Sequence, residues 1–267
     1  MRILNPALDL DRFFARLRHA PEPALLLDFD GTLAPFRSDR DRVHMYDGVG
    51  ALLARILAGG RGRVALVSGR SAGDLAAHLE HPARPEIWGS HGIERLAPDG
   101  TLWCAPLPPA ALAALGDESA RLLASADSER FEIKPYGIAV HVRGCEPAAA
   151  ERLLAETRAR WSLLARTDGL RLREFDGGIE LDVAAADKGR VVETIFAELG
   201  PGALVAALGD DRTDEDAFRA IRGRGLAVLV RPELRDTAAD LWIEPPQELL
   251  GFLARWAAAI TEERSCD

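Results

Sequence analysis

Residues 24–32 read ALLLDFDGT, an unbroken apolar run that ends in two aspartates, a glycine and a threonine. A continuous apolar run of this length is typical of a strand buried on both faces of a parallel sheet, so we predict a strand over residues 24–29. Ligands bind beyond the carboxyl ends of the strands in open α/β sheets. Asp28 and Asp30 lie at the carboxyl end of this strand, and their spacing of two places both carboxylates on the same side.

The chain on both sides of this strand alternates between apolar runs and helical patterns. The predicted strands are 63–67, 203–208 and 226–230, and the predicted helices are 49–57, 72–79, 188–199 and 215–221. Such alternation indicates a parallel sheet covered on both faces, which is a Rossmann-like α/β core of three layers. We predict that residues 1–106 and 184–267 form this core.

Between these two stretches the pattern changes. The proline-rich CAPLPP at residues 104–109 suits a domain boundary. Residues 110–183 then show a helix and two short strands, twice over, which predicts an antiparallel sheet with helices on one face. We therefore predict that residues 107–183 form a smaller α/β domain inserted in the core.

Composition narrows the classes of function. Lys and Arg total 33 against 42 Asp and Glu, a balance of −9 that repels nucleic-acid phosphates, so no nucleic-acid partner is expected. No apolar run approaches the length of a bilayer span, so no membrane partner is expected. The cysteines are far apart and odd in number (Cys104, Cys145, Cys266), which favours a reducing cytoplasm over a disulfide framework. We expect a monomer or weak dimer.

Further polar residues follow strands or open helices in the predicted core. Ser68 ends the strand in VALVSGR, Lys188 opens the helix in DKGRVV, and Asp210, Asp211 and Asp214 follow the strand in LVAALGDDRTDEDAF. Taken singly, each has an ordinary explanation as a helix cap or a solvated charge. Phosphoryl transfer, however, needs a nucleophile, a divalent cation on oxygen ligands, positive charge on the transferring group and an acid for the leaving alcohol. The four segments together supply that set.

In order and spacing, DFDGT, VSGR, the single Lys188 and GDDRTDED resemble the four motifs of the haloacid dehalogenase superfamily. The resemblance implies a phosphatase that forms an aspartyl-phosphate, with Asp28 as nucleophile and Asp30 as general acid and then base. The other implied roles are phosphate binding by Thr32, Ser68 and Lys188, and Mg²⁺ binding by Asp28, the Asp30 carbonyl, Asp210 and Asp214.

Within that superfamily the chain is similar to the trehalose-6-phosphate phosphatases, above all through GDDRTDEDAF and also through WGSHGIE and the FEIK and HVR strands. The resemblance implies that the insert is this family's cap domain and that a sugar phosphate, trehalose 6-phosphate, is the substrate. The implied substrate contacts are Arg70, His91, Glu94, Glu132, Lys134 and Glu180. One feature departs from the family pattern, because Asp182 and Val183 stand where a basic residue and a proline usually follow the cap glutamate.

Two alternatives stay open. A phosphatase of the same fold can act on another glycosyl phosphate, such as glucosylglycerol phosphate, sucrose phosphate or mannosyl-phosphoglycerate. A phospho-accepting signalling domain also combines aspartates with a threonine or serine and a lysine on a parallel sheet. The large insert argues against the signalling domain, and so does Asp30, because an acid and base beside Asp28 would shorten the lifetime of an aspartyl-phosphate.

Overall fold

The computed structural model describes residues 1–36, 43–59, 61–79, 84–125, 127–166 and 169–261. The chain divides into two compact units, one made of Met1–Trp103 with Lys188–Asp267 and the other of Cys104–Asp187. Cys266 lies outside the described residues. Among the residues that the structure describes, none of the helices is both long and apolar enough to cross a membrane.

The first stretch of the chain alternates between strands and helices. In chain order the elements are β1 (Arg2–Ile3), α1 (Leu10–His19), β2 (Ala24–Leu27), α2 (Val49–Ala58), β3 (Arg63–Val67), α3 (Ala72–Ala77), β4 (Glu86–Gly89), β5 (Glu94–Leu96) and β6 (Leu102–Cys104). Helix α1 shows the local logic. The Asp9 side chain accepts a hydrogen bond from the amide of Arg12 and caps its first turn, while Phe13, Phe14 and Leu17 form its buried face.

The second unit packs two helices against an antiparallel sheet. Its elements are α4 (Pro109–Leu123), β7 (Phe131–Lys134), β8 (Gly137–His141), α5 (Pro147–Leu164), β9 (Leu170–Phe175) and β10 (Gly178–Val183), with the strand order β7-β8-β10-β9. The buried carboxylate of Glu118 joins the helices, because it accepts hydrogen bonds from Trp161 Nε1 (3.0 Å), Arg160 Nε (2.7 Å) and Arg121. Burial alone would raise the pKa of Glu118, but these donors lower it to about 2.

The chain then returns to the first unit and completes its sheet. The elements are α6 (Lys188–Leu199), β11 (Val205–Gly209), α7 (Glu215–Ile221), β12 (Leu226–Val230), β13 (Leu241–Ile243) and α8 (Gln247–Thr261). The sheet has the order β1-β13-β12-β11-β2-β3-β4-β5-β6 and is parallel from β13 to β4, whereas β1 and β5 pair antiparallel. The α/β fold class is confirmed. Strand β1 was not predicted, because two residues carry no readable alternation.

Alternate residues of β2 pack on opposite sides of the sheet, as the period of two in a strand requires. Leu25 and Leu27 belong to a hydrophobic cluster with buried residues of α1, α2 and α8. Leu26 belongs to a second cluster, formed with α6 and α7. Because helices cover both faces of the central strand, polar side chains can gather only where the strands end.

Candidate active site

The loop after β2 carries the first motif. The strand ends at Leu27 rather than at Phe29, where the sequence predicted its end, although the amide of Asp28 still donates to the Leu208 carbonyl (2.9 Å). The chain then turns at Gly31, whose φ of +93° is a left-handed conformation that glycine adopts without strain. The early turn leaves Asp28 at the carboxyl end of the central strand.

Lys188 is the first residue of α6, and its buried ammonium bridges two carboxylates. Nζ lies 2.7 Å from Asp28 Oδ1 and 2.7 Å from Asp214 Oδ1. Burial alone would lower the pKa of Lys188, but the charges of Asp214 and Asp28 raise it above its usual value. A permanent positive charge therefore links the first sequence motif to the last.

Asp28, Asp210 and Asp214 gather at the ends of β2 and β11, and one carboxylate oxygen from each lies within 4.8 Å of the others. Burial raises the pKa of Asp28 to about 7, an effect that Lys188 partly offsets and Asp214 reinforces. Burial, followed by the charges of Asp28 and Asp214, raises the pKa of Asp210 well above its usual value. Three carboxylates around one ammonium leave an excess of negative charge on hard oxygen donors. This donor set fits Mg²⁺.

The loop that carries Asp210 and Asp214 is stabilised by hydrogen bonds from its backbone amides to the Asp214 side chain. Asp214 Oδ2 accepts hydrogen bonds from the amides of Asp210 (3.2 Å) and Asp211 (3.0 Å), and a Cβ at Gly209 would lie 2.1 Å from Asp214 Cγ. Arg235 donates to the Asp211 carbonyl at 2.7 Å. Sequence reasoning missed Arg235, because a single arginine in a polar stretch belongs to no recognisable motif.

Asp30 is held by Arg70 rather than by the carboxylate cluster. Arg70 Nε lies 2.7 Å from Asp30 Oδ2, and Arg70 Nη2 lies 2.8 Å from Asp30 Oδ1. Arg70 Nη1 lies 3.3 Å from Asp74 Oδ2. Asp74 was not predicted, because Arg70 precedes helix α3 and the pair therefore does not follow the spacing of two residues on one helix.

The loop after β3 is hydrogen bonded to the loop after β4. The Ser68 carbonyl accepts from the His91 amide (2.9 Å), and the Arg70 carbonyl accepts from the Ser90 amide (2.6 Å). Ser90 and His91 have φ values of 50° and 57°, a left-handed backbone conformation that residues other than glycine rarely adopt. Residues in this conformation cluster at functional sites. The His91 ring lies against Gly69, where a Cβ would be 2.9 Å away.

Glu94, predicted as a substrate contact, is buried and contacts the start of α3. Its Oε2 accepts a hydrogen bond from the amide of Ala72 (2.6 Å) and lies 3.5 Å from Ser90 Oγ. One of its two oxygens therefore caps a helix and ties the two loops together.

In the second unit, one face of the sheet carries the predicted sugar contacts. Glu132 and Glu180 both pair with Ala139 in the strand register, so their side chains share a face. Lys134 Nζ donates to both oxygens of Glu180 (2.8 and 2.9 Å), and His141 Nε2 lies 2.8 Å from Glu132 Oε2. The face is thus polar, and Glu132 and Glu180 each lie within hydrogen-bond distance of a neighbouring side chain on it.

Asp182, the departure from the family pattern, lies on the same face and is buried. Its Oδ2 accepts from Arg173 Nε (2.9 Å) and from Arg171 Nη2 (3.1 Å). Both arginines also donate to the Ala186 carbonyl, at 3.0 and 2.7 Å. The added negative charge is therefore balanced by two arginines of the neighbouring strand, which sequence reasoning missed.

The predicted residues of the first unit form two groups. The first comprises Asp28, Thr32, Lys188, Asp210 and Asp214, with Thr32 Oγ1 3.4 Å from Asp210 Oδ1. The second comprises Asp30, Ser68, Arg70, His91 and Glu94, on or around the loop after β3.

The chain is similar in sequence to members of the trehalose-phosphatase family. A family model described as trehalose-phosphatase matches residues 26–239. Trehalose-phosphate phosphatase of Mycobacterium avium is 37% identical over 251 residues, which cover 88% of this chain and 62% of the relative. An uncharacterised glycosyl hydrolase of Mycobacterium tuberculosis is 32% identical over 275 residues, which cover 96% of this chain and 20% of the relative. The chain therefore spans less than two thirds of the length of either relative.

Solved structures share the fold. The C-terminal domain of C. albicans trehalose-6-phosphate phosphatase superposes with a TM-score of 0.76 at 18% identity, covering 97% of this chain and 99% of that chain. The C-terminal domain of the Candida albicans trehalose synthase regulatory protein gives 0.68 at 13% identity, covering 96% and 100%. At these identities the likeness concerns fold alone. The trehalose-phosphatase family model covers residues 26–239, a range that includes Asp28, Lys188, Asp210 and Asp214. The chain therefore belongs to the trehalose-phosphatase family.

Proposed function

We propose that this chain is a Mg²⁺-dependent phosphatase that hydrolyses trehalose 6-phosphate to trehalose and phosphate. The observation that carries the proposal is the buried Lys188 ammonium, 2.7 Å from both Asp28 and Asp214, beside Asp210. A carboxylate can approach a phosphate dianion only where fixed positive charge offsets their repulsion. Family membership supports the same reaction.

The proposed reaction has two steps. In the first, an Asp28 oxygen attacks phosphorus, the bond from phosphorus to the sugar oxygen breaks, and Asp30 gives its proton to that leaving oxygen. In the second, water attacks phosphorus, loses a proton to Asp30, and the bond to Asp28 breaks, releasing phosphate. Thr32, Ser68 and Lys188 hold the phosphate oxygens throughout.

Asp28, the Asp30 carbonyl, Asp210 and Asp214 are the proposed Mg²⁺ ligands. When bound, the cation supplies the positive charge that the three clustered carboxylates require and stabilises charge on the transferring phosphoryl group. We expect activity to disappear in a chelator and Ca²⁺ to inhibit, because its larger and looser coordination misplaces the reacting groups. Full activity in the chelator would remove the metal from the proposal.

The second unit takes the part of the cap domain in this proposal. Glu132, Lys134 and Glu180 share one sheet face, and they are proposed to hydrogen-bond sugar hydroxyls. In the first unit, His91 is a proposed substrate contact. The balanced charge at Asp182 supports retention of trehalose 6-phosphate despite the altered pattern. We place the reaction in the cytoplasm, which suits an odd number of scattered cysteines.

A panel of sugar phosphates with Mg²⁺ tests the substrate. It contains trehalose 6-phosphate, sucrose phosphate, glucosylglycerol phosphate, mannosyl-phosphoglycerate and glucose 6-phosphate, and phosphate release is measured. We expect the highest kcat/KM with trehalose 6-phosphate. Preference for another glycosyl phosphate would overturn the substrate but keep the phosphatase, whereas a stable aspartyl-phosphate without turnover would favour the signalling domain.

A further inference from the structure

Arg70 has its guanidinium inside the protein. Its side chain is 1% exposed. The family resemblance implied that it contacts the substrate. Its fork faces Asp30, with Nε 2.7 Å from Oδ2 and Nη2 2.8 Å from Oδ1. Two parallel hydrogen bonds of this kind fix the plane of a carboxylate as well as its position. Arg70 therefore determines how Asp30 is presented.

The two hydrogen bonds from Arg70 do not use every acceptor site of the Asp30 carboxylate. A carboxylate offers about four acceptor sites, and a bidentate arginine occupies two of them. Asp30 is 23% exposed, so its remaining sites are accessible. The Asp30 carboxylate therefore keeps acceptor sites that the two Arg70 hydrogen bonds do not occupy.

Arg70 is itself held from several sides. Nη1 lies 3.3 Å from Asp74 Oδ2, and the guanidinium carbon lies 5.8 Å from the centre of the Phe29 ring. The backbone is fixed as well, because the Arg70 amide donates to Ser68 Oγ (3.2 Å) and its carbonyl accepts from the Ser90 amide (2.6 Å). A side chain fixed at both ends suits orientation of a neighbour better than capture of a mobile sugar.

We infer that Arg70 is a positioning residue that acts through Asp30, and that it does not recognise the sugar. The inference rests on the proposed phosphatase reaction. It assigns Arg70 to the proton-transfer step, in which Asp30 gives a proton to the leaving oxygen. A strongly basic alkoxide needs this proton, whereas a nitrophenolate leaves readily without it.

Two small substrates without sugar hydroxyls separate these roles. The single-turnover phosphorylation rate is measured with cyclohexyl phosphate and with 4-nitrophenyl phosphate for the wild type and for Arg70→Lys, which keeps the charge but loses the fork. We expect Arg70→Lys to slow cyclohexyl phosphate roughly 10- to 100-fold, part of the usual contribution of acid catalysis, and 4-nitrophenyl phosphate less than about 3-fold.

A second background tests whether Arg70 acts through Asp30. In Asp30→Asn the acid is already absent, so adding Arg70→Lys should change either rate less than about 3-fold. Arg95→Lys is the matched control, because Arg95 also donates hydrogen bonds to carboxylates, and its partners Glu86 and Glu198 lie outside the site. The control should keep both rates.

Asp74→Asn is a second variant that tests the same inference if Arg70→Lys does not fold. The Asp74 side chain is 45% exposed and orients Arg70 from the solvent side, so the fold should survive and cyclohexyl phosphate should slow more than 4-nitrophenyl phosphate. Equal losses with both substrates in folded variants, or a full additional loss in the Asp30→Asn background, would overturn the inference alone. A wild type that releases no phosphate from either compound or from any sugar phosphate of the panel would overturn the proposed function and, with it, this inference.

Discussion

Gly31 and Asp210 lie so close together that a side chain at position 31 has no room. A Cβ built on Gly31 would be 2.2 Å from Asp210 Oδ2 and 2.4 Å from its carboxyl carbon. The Asp210 carboxylate thus packs directly on the backbone of the turn that follows Asp28. The positions of Asp28 and Asp210 relative to each other therefore depend on this contact.

Gly31→Ala should displace Asp210 and lower kcat/KM by about 100-fold, because a shift of about 1 Å in a catalytic group can cost that much. Gly100→Ala is the matched control. Gly100 has φ +90° against +93° for Gly31, but a Cβ there meets nothing within 4 Å. Both variants carry the left-handed penalty of roughly 1–2 kcal/mol, so only the clash differs between them. Equal activity in the two folded variants would contradict the role of this close contact.

Asp28→Asn should abolish turnover, because the amide keeps the shape and loses the nucleophilic charge. The same change should raise the melting temperature of metal-free protein at pH 8. The folded pKa of Asp28 is about 7 against an ordinary value of 3.8, so its contribution to stability is present below about pH 4 and is lost as the pH rises to 7. Thermal unfolding in a chelator measures this, with the exposed Asp236→Asn as control. A lower melting temperature for Asp28→Asn would contradict the burial argument.

Glu180→Ala should lower kcat/KM for trehalose 6-phosphate by roughly 10- to 150-fold, because a charged hydrogen bond is worth about 1.5–3 kcal/mol. Hydrolysis of 4-nitrophenyl phosphate should change little. Glu174→Ala is a matched control, since Glu174 lies on β9 one register position away, pairs with Arg158 and is 46% exposed. Equal loss of both activities in folded Glu180→Ala would assign Glu180 to catalysis or closure instead of recognition.

Glu118→Gln should destabilise the protein at pH 7 by on the order of 2–3 kcal/mol, because the neutral amide cannot replace the anion between its three donors. The folded pKa of Glu118 is about 2 against an ordinary 4.5, so its stabilisation is present above pH 4.5 and is lost as the pH falls towards 2. The free energies of unfolding of the wild type and Glu118→Gln should therefore converge as the pH approaches 2. A gap that persists there would point to lost packing rather than lost charge.

Much of the first unit could be read from the chain, because its signals are local. The run at residues 24–27 is buried on both faces, and the period of each helix matches the face that it buries. Asp28, Lys188 and Asp214 were identified as motifs, since each stands at a strand end or a helix start. In an α/β sheet that position alone predicts convergence.

Tertiary structure alone decided which groups pair. The resemblance implied Arg70 and Glu94 as substrate contacts, and only the fold shows that Arg70 pairs with Asp30 and that Glu94 accepts from the amide of Ala72. Asp182 looked like a lost positive charge until register brought Arg171 and Arg173 beside it. Local pattern sets what kind of side chain stands at a strand end. Which charge neutralises it depends on neighbours distant in the chain, because Coulomb energy and desolvation follow distance in space.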